Sequence, residues 1–247
     1  MAASALLAAV SVASLNLCTD EYLLLLAKPS EIASVSFLSQ DPQESPLWKL
    51  AQGHHANRGS LEDVLAKRPA VVLSMGGGGR ASSLIASRLG IRAVDLRPVS
   101  KLEDVSWNLR AVADAIGDPG RARAWLKRLD YVRSTARSRQ VDAIWIGGGG
   151  QTIAIPSVGA DWMRLAGLKQ RPLQGDRVSL ETILVRPPAV LVKSRYRSGQ
   201  FSRGAAWLSH PIVRNAKSRR VEVDGRAWTC MGPLVIPEIE RLRSLIR

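Results

Sequence analysis

The sequence predicts an α/β protein of two Rossmann-like lobes, each built on a mainly parallel sheet and joined by one long rigid α-helix. Three observations predict it. Residues 118–139, DPGRARAWLKRLDYVRSTARSR, read as one amphipathic helix. Asp118 can cap it, and Pro119 suits the first helical position, where its missing N–H costs nothing. Ala122, Trp125, Leu129, Val132 and Ala136 recur at helical spacing and form one apolar stripe, with Arg and Lys over most of the remainder. The flanking segments share a pattern: SLEDVLAKRPAVVLSM at 60–75 and SLETILVRPPAVLVKS at 179–194 keep Ser, Leu, Glu, Leu, Pro, Ala and Val in place. Each copy reads as a serine-capped short helix, a proline break and an apolar strand. Finally, strands and helices alternate through both halves, which implies parallel strands with right-handed crossovers.

The elements follow in order. Apolar residues 10–15 form the first strand, and Asn16-Leu17-Cys18-Thr19-Asp20 a polar turn before a helix at 21–27 that Pro29 stops. Residues 32–35 are the second strand. A proline-broken polar loop with Trp48 and the pair His54-His55 comes next, then the first repeat with its strand at 70–74, a helix to Leu89, a strand at 91–96 and a helix from Ser100 to about Ile116. After the spacer, strands are expected at 143–146, 189–192 and 221–223, with helices at 161–166, near 205–208 and from Pro237. The organisation is thus a short leader at 1–9, a first lobe at 10–117, the linking helix at 118–139 and a second lobe at 140–247.

Bulk properties narrow the function. At 247 residues and 46% hydrophobic, the chain is near the size where one core gives way to two, and disorder is excluded. The formal charge of +14 permits an acidic partner, but the cations are spread through helices with no nucleic-acid-binding motif, so solvated helix faces are the simpler reading. Two cysteines, Cys18 and Cys230, exclude a disulfide framework and a cysteine zinc site; free thiols are favoured over a single bridge. No stretch approaches the roughly 20 apolar residues of a membrane span. Residues 1–9, MAASALLAA, resemble the tail of a secretory signal without its basic start, as in a truncated signal or an apolar leader.

Two four-glycine runs stand at the ends of predicted strands: Gly76, Gly77, Gly78 and Gly79 before Arg80, and Gly147, Gly148, Gly149 and Gly150 ahead of Thr152. Open α/β sheets bind ligands at such strand ends, and glycine lets backbone approach a ligand. Neither run is a phosphate loop or a dinucleotide fingerprint. Their matching places favour a ligand-facing role over a flexible turn. No nucleophile, base and orienter set is visible, and His54-His55 lack further ligands at metal spacing, so neither catalytic nor metal residues are assigned. Asp20 and Glu21 are read as acids that suit a helix start. Tyr196 and Trp228 sit in loops after strands, where an aromatic serves either as ligand platform or as a loop anchor.

SVASLNLCTDEYLLLLA, IASVSFLSQDP, NRGSLEDVLAKRPAVVL, GGGGR, LGIRAVDL and RAWTCMGP, in this order and spacing, resemble the periplasmic substrate-binding proteins of ABC importers for vitamin B12 and iron chelates. The resemblance runs from about Val10 to Arg247 and implies two α/β lobes on one long helix, with a ligand cleft between them. It implies a cleft lined by Asn16, Cys18 and Thr19; Phe37, Leu38 and Ser39; Gly76 to Arg80; Gly147 to Gly150 and Thr152; Arg195 and Tyr196; and Trp228. It also implies permease docking through a surface glutamate on each lobe. Glu181 matches one position. The other falls near Arg80, of opposite charge, leaving Glu62 as the substitute.

The expected function is therefore binding without turnover: a periplasmic protein, monomeric and without a cofactor, that carries a corrinoid or metal chelate to an ABC permease. The other readings are a nucleotide- or nucleotide-sugar-dependent α/β enzyme using the glycine runs, and a basic nucleic-acid-binding protein.

Overall fold

Strand β1, Val12–Ser14, is buried throughout and organises the first sheet. The computed structural model describes residues 10–76, 80–197 and 202–246. On one side of β1 lies β2, Ile32–Ser36, and then β3, His55–Asn57; on the other lie β4, Val71–Met75, and β5, Arg92–Leu96. All of these pair in parallel. A second parallel sheet holds β6, Val141–Ile146, β7, Leu168–Gln170, β8, Val190–Arg195, and β9, Arg219–Asp224, in the order β7-β6-β8-β9. Continuous apolar runs such as Val71-Val72-Leu73 and Val190-Leu191-Val192 are what parallel strands covered on both faces require.

Strand order reverses between β1 and β4 in the first sheet, and between β6 and β8 in the second. Loops that leave the carboxyl ends of strands at such a reversal diverge and open a crevice. The sequence repeat maps onto these points. Its two strands are β4 and β8, each paired with the strand across the reversal. The serines at the start of each copy act alike: Ser60 Oγ accepts from Asp63 N at 3.3 Å, and Ser179 Oγ from Thr182 N at 3.0 Å.

The chain divides into two compact units. One comprises Met1–Pro42, Leu47–Pro98 and Trp107–Ala124; the other comprises Gln43–Pro46, Val99–Ser106 and Trp125–Arg247. The first is built on Ala13, Leu15, Leu61, Val64 and Val72, and the second on Ile144, Ile146, Val178, Ile183 and Leu191. No helix among the described residues is long and apolar enough to cross a membrane.

Two elements differ from their sequence expectation. The helix expected at 118–139 begins as a 3-10 turn, Pro119–Ala122, capped by the Asp118 carboxylate on Gly120 N, and continues as Arg123–Ser134. It stops short of Arg139: the Tyr131 carbonyl takes Thr135 N and the hydroxyls of both Ser134 and Thr135, and Ala136 N then turns to the Arg133 carbonyl instead of continuing the ladder. The first helix starts earlier than expected, at Leu17 rather than Glu21. Asn16 Oδ1 accepts from Cys18 N and Thr19 N, while Thr19 Oγ1 accepts from Asn16 N, so the polar turn is a reciprocal cap. Neither Cys18 nor Cys230 is a free thiol; both are disulfide-bonded. Sequence separation carried no information on this, because pairing is decided by Cα proximity.

Candidate functional site

The carboxyl ends of β6, β8 and β9 surround a cavity of about 720 Å³ in the second unit. Trp145, Gly147, Gly148 and Gln151 line it from β6 and the loop after it. Lys193 through Arg197 line it from the end of β8 and the loop after it, and Gly225, Trp228, Thr229 and Met231 from the turn after β9. A neighbouring cavity of about 480 Å³ shares Trp145, Gln151 and Met231, and Thr152 lies in its wall.

The glycine run after β6 is a tight turn, with a division of labour inside it. Gly147 and Gly148 face the cavity. Gly149 and Gly150 carry left-handed backbone, at φ +67° and +77°, and fold against their own unit. Gly150 O accepts from Val178 N at 2.8 Å, and Arg177 Nη2 donates to Gly149 O at 2.7 Å. A Cβ on Gly150 would stand 2.7 Å from Val178 O and 3.0 Å from the Trp207 ring. Gly150→Ala is therefore expected to cost about 2–3 kcal/mol, since strained backbone and overpacking coincide. Gly175, at φ +63° with nothing within 4 Å, should cost only the roughly 1–2 kcal/mol of left-handed backbone. Denaturant midpoints of the two alanine variants check the difference, and equal losses would show that the contact at Gly150 does not matter.

Trp228 is 2% exposed and lies in the 3-10 turn Gly225–Trp228, capped by Asp224 Oδ1 on Arg226 N. Its ring meets that of Trp145 at 6.3 Å between centroids, tilted by 47°. The Nε1 of both indoles is buried without a partner among the described residues. Trp228 therefore joins the two roles left open by its sequence: it anchors its loop and also lines the cavity. Tyr196 and Arg195 line the cavity too, and a Cβ on Gly225 would lie 3.0 Å from Arg195 O and from Tyr196 Cβ. That turn and the end of β8 are thus seated directly on one another.

The cavity rim is strongly charged. Glu222 Oε2 accepts from Arg195 at 3.0 Å, and Lys193 Nζ lies 3.6 Å from its Oε1. Burial would raise the Glu222 carboxyl, but Arg195 and Lys193 outweigh it and hold it below the usual range. Tyr196 OH donates to Glu44 Oε2, and Arg197 pairs with Glu44 Oε1. Burial, followed by the Glu44 carboxylate, pushes the Tyr196 phenol up.

In the first unit the predicted residues sit at the equivalent strand ends. Asn16 and Cys18 stand after β1, Phe37 and Leu38 in the helical turn Phe37–Gln40 after β2, and Gly76 after β4 at φ +85°. Phe37 is 52% exposed. Thr19 and Ser39 are fully buried, and their hydroxyls are used locally, with Ser14 Oγ and the Ser36 carbonyl respectively. Thr152 is similarly engaged: its hydroxyl donates to the Trp145 carbonyl and accepts from Gln170 Nε2 at 2.9 Å. Gly77, Gly78 and Gly79 lie outside the described residues, and Arg80 opens the helix Arg80–Arg88. Glu62 and Glu181 are exposed in the first turns of the helices Glu62–Leu65 and Leu180–Val185.

Sequence reasoning missed Trp145, Gln151, Lys193, Arg197 and Met231 in the cavity wall, and Glu44 at its rim. It also misread Asp20 as a simple helix-start acid. The carboxylate is fully buried, takes Ser36 N on both oxygens at 3.1 Å and accepts from Ser36 Oγ, tying the first helix to the end of β2. Burial pushes it up to about 7, against the lowering effect of hydrogen bonds from Ser14, Ser36 and Ser39. Among the described residues, no cluster of three or more His, Cys, Asp or Glu could hold a metal ion.

No protein-family model matches the chain, and no curated protein matches it. Solved structures do. A periplasmic heme-binding protein from Pseudomonas aeruginosa is similar at 19% identity and TM-score 0.65, over 96% of this chain and 92% of that one. The periplasmic heme-binding protein BhuT, solved with two hemes, is similar at 16% identity and TM-score 0.67, over 95% and 96%. The periplasmic vitamin B12-binding protein BtuF of Vibrio cholerae is similar at 18% identity and TM-score 0.64, over 96% of each. Two parallel sheets flanked by helices, matched over nearly the whole of both chains, place this protein in the α/β fold of the two-lobed periplasmic binding proteins.

Proposed function

We propose that the chain is the solute-binding component of an ABC importer, and that it holds a corrinoid or iron chelate at its strand-end loops and delivers it to a permease. The observation that carries this reading is the cavity of about 720 Å³ at the carboxyl ends of β6, β8 and β9, with an indole pair in its wall and three cations around it. Its volume suits a ligand of drug size or larger, and its wall suits a flat apolar body with polar groups at the edge. The structural neighbours named above bind heme and vitamin B12, which fits that shape. Gly147, Gly148, Arg195, Tyr196 and Trp228 are the proposed contacts in this unit. Asn16, Cys18, Phe37, Leu38 and Gly76 are the proposed ligand-facing residues of the first. In this reading the protein works in the periplasm, and Glu181 and Glu62 are its docking points for the permease.

Titration with cobalamin, cobinamide, hemin and a ferric siderophore tests the proposal. At least one is expected to bind with a micromolar or lower Kd and to be recovered chemically unchanged. Failure of all four to bind, or conversion of the bound molecule, would overturn it.

A further inference from the structure

Among the described residues, the cavity wall contains Lys193, Arg195 and Arg197, and no Asp or Glu. The acid that neutralises Arg197 comes from elsewhere in the sequence. Glu44 lies in the segment Gln43–Pro46, which belongs by its contacts to the second unit. Its carboxylate is divided between two cavity residues, one oxygen on Tyr196 OH and the other on Arg197 Nη2. The Glu44 side chain is only 8% exposed, whereas that of Arg197 is 48% exposed. The carboxylate thus bears most of the desolvation, and its partner cation still reaches water and the cavity. Arg197 also has left-handed backbone, at φ +49°, beside a Tyr196 seated against Gly225. A hydroxyl and a guanidinium held side by side are the donor pair that recognises a carboxylate.

We propose that Glu44 is a built-in carboxylate occupying this donor pair, and that an anionic group of the ligand displaces it, so that the cavity selects ligands bearing a carboxylate. This rests on the binding function proposed above. A neutral ligand of the same shape leaves the Glu44 contacts in place and gains nothing from Arg197. An anionic one replaces them with its own and releases the Glu44 carboxylate to water.

Hemin and hemin dimethyl ester share one macrocycle and differ in their two carboxylates, so they are the probes. Affinities are measured by quenching of tryptophan fluorescence for wild type, Glu44→Gln, Arg197→Gln and the double variant. Glu44→Gln, which removes the competing charge and keeps a hydrogen-bonding amide, is expected to bind hemin about tenfold tighter and the ester within about twofold of wild type. Arg197→Gln is expected to weaken hemin by about tenfold and to abolish the gain in the double variant. In the protein without ligand, Glu44→Gln should also lower the pH at which Tyr196 ionises, read by ultraviolet difference titration. Four outcomes overturn the proposal: weaker hemin binding by Glu44→Gln, equal gains for hemin and ester, a gain that persists without Arg197, or no hemin binding by any variant. In the last case, retained binding of cobalamin would leave the general binding function standing.

Discussion

Raising the pH is expected to destabilise the protein through Asp20 by about 4 kcal/mol, the equivalent of its shift from 3.8 to about 7. The folded pKa lies above the unfolded one, so the folded state binds the proton more tightly. The contribution is then fully present below 3.8 and is lost as pH rises through about 7. The cause is burial of the carboxyl; bonds from Ser36 N and Ser36 Oγ offset part of that cost. Asp104 and Glu222 are held low and act in the opposite direction, gaining stability as pH rises. The Asp20 contribution is therefore read as the difference between wild type and Asp20→Asn in denaturant melts from pH 4 to pH 8. The asparagine keeps an acceptor for Ser36 N and cannot ionise. It should flatten the pH profile and equal or exceed wild type at the alkaline end. Parallel profiles for the two proteins would show that Asp20 does not titrate in this range.

How much of this was legible in the sequence depended on whether the signal was local. The serine-capped repeat was visible because each copy is a contiguous pattern, and it landed on β4 and β8, the strands beside each reversal of strand order. The second glycine run was also visible, but the split between Gly147 and Gly148 on the cavity and Gly149 and Gly150 against their own unit depends on where Val178 and Trp207 come to lie. The start of the first helix was readable in principle. Asn16 and Thr19 stand three apart ahead of an apolar run, the spacing of a cap, and treating them as a turn overlooked it.

The rim of the cavity was not legible. Glu44 stands in a polar, proline-bounded stretch with no periodicity, and its partner Tyr196 is 152 residues away. Trp145 is embedded in the strand β6, where an aromatic reads as ordinary core. Lys193 lies inside an apolar strand, and its ion pair with Glu222 becomes visible only once β8 and β9 are neighbours. The buried carboxyl of Asp20 was hidden for the same reason. Acids near helix starts are common, and only the approach of the β2 end distinguishes this one.

Trp228→Ala is expected to cost both stability and ligand affinity, whereas the sequence alone left ligand wall and loop anchor as alternatives. Full burial and contact with the Trp145 ring put the residue among core aromatics, for which truncation to alanine costs about 3–5 kcal/mol. Its turn lies against the end of β8 through Gly225, so the loss should also loosen the placement of Arg195 and Tyr196 in the cavity wall. Trp228→Phe separates the two contributions. It retains a ring to pack on Trp145 and removes an Nε1–H that has no partner among the described residues. It loses one ring of the indole, so its stability cost should be about 1–2 kcal/mol, well below that of alanine. Ligand binding by the phenylalanine variant then reports on the wall itself. A loss beyond about tenfold with stability retained would assign the indole to the ligand wall. Denaturant melts of both variants, with titration of the tightest ligand from the panel above, make the measurement. A Trp228→Ala protein within about 1 kcal/mol of wild type would remove Trp228 from the core and leave it a ligand wall alone.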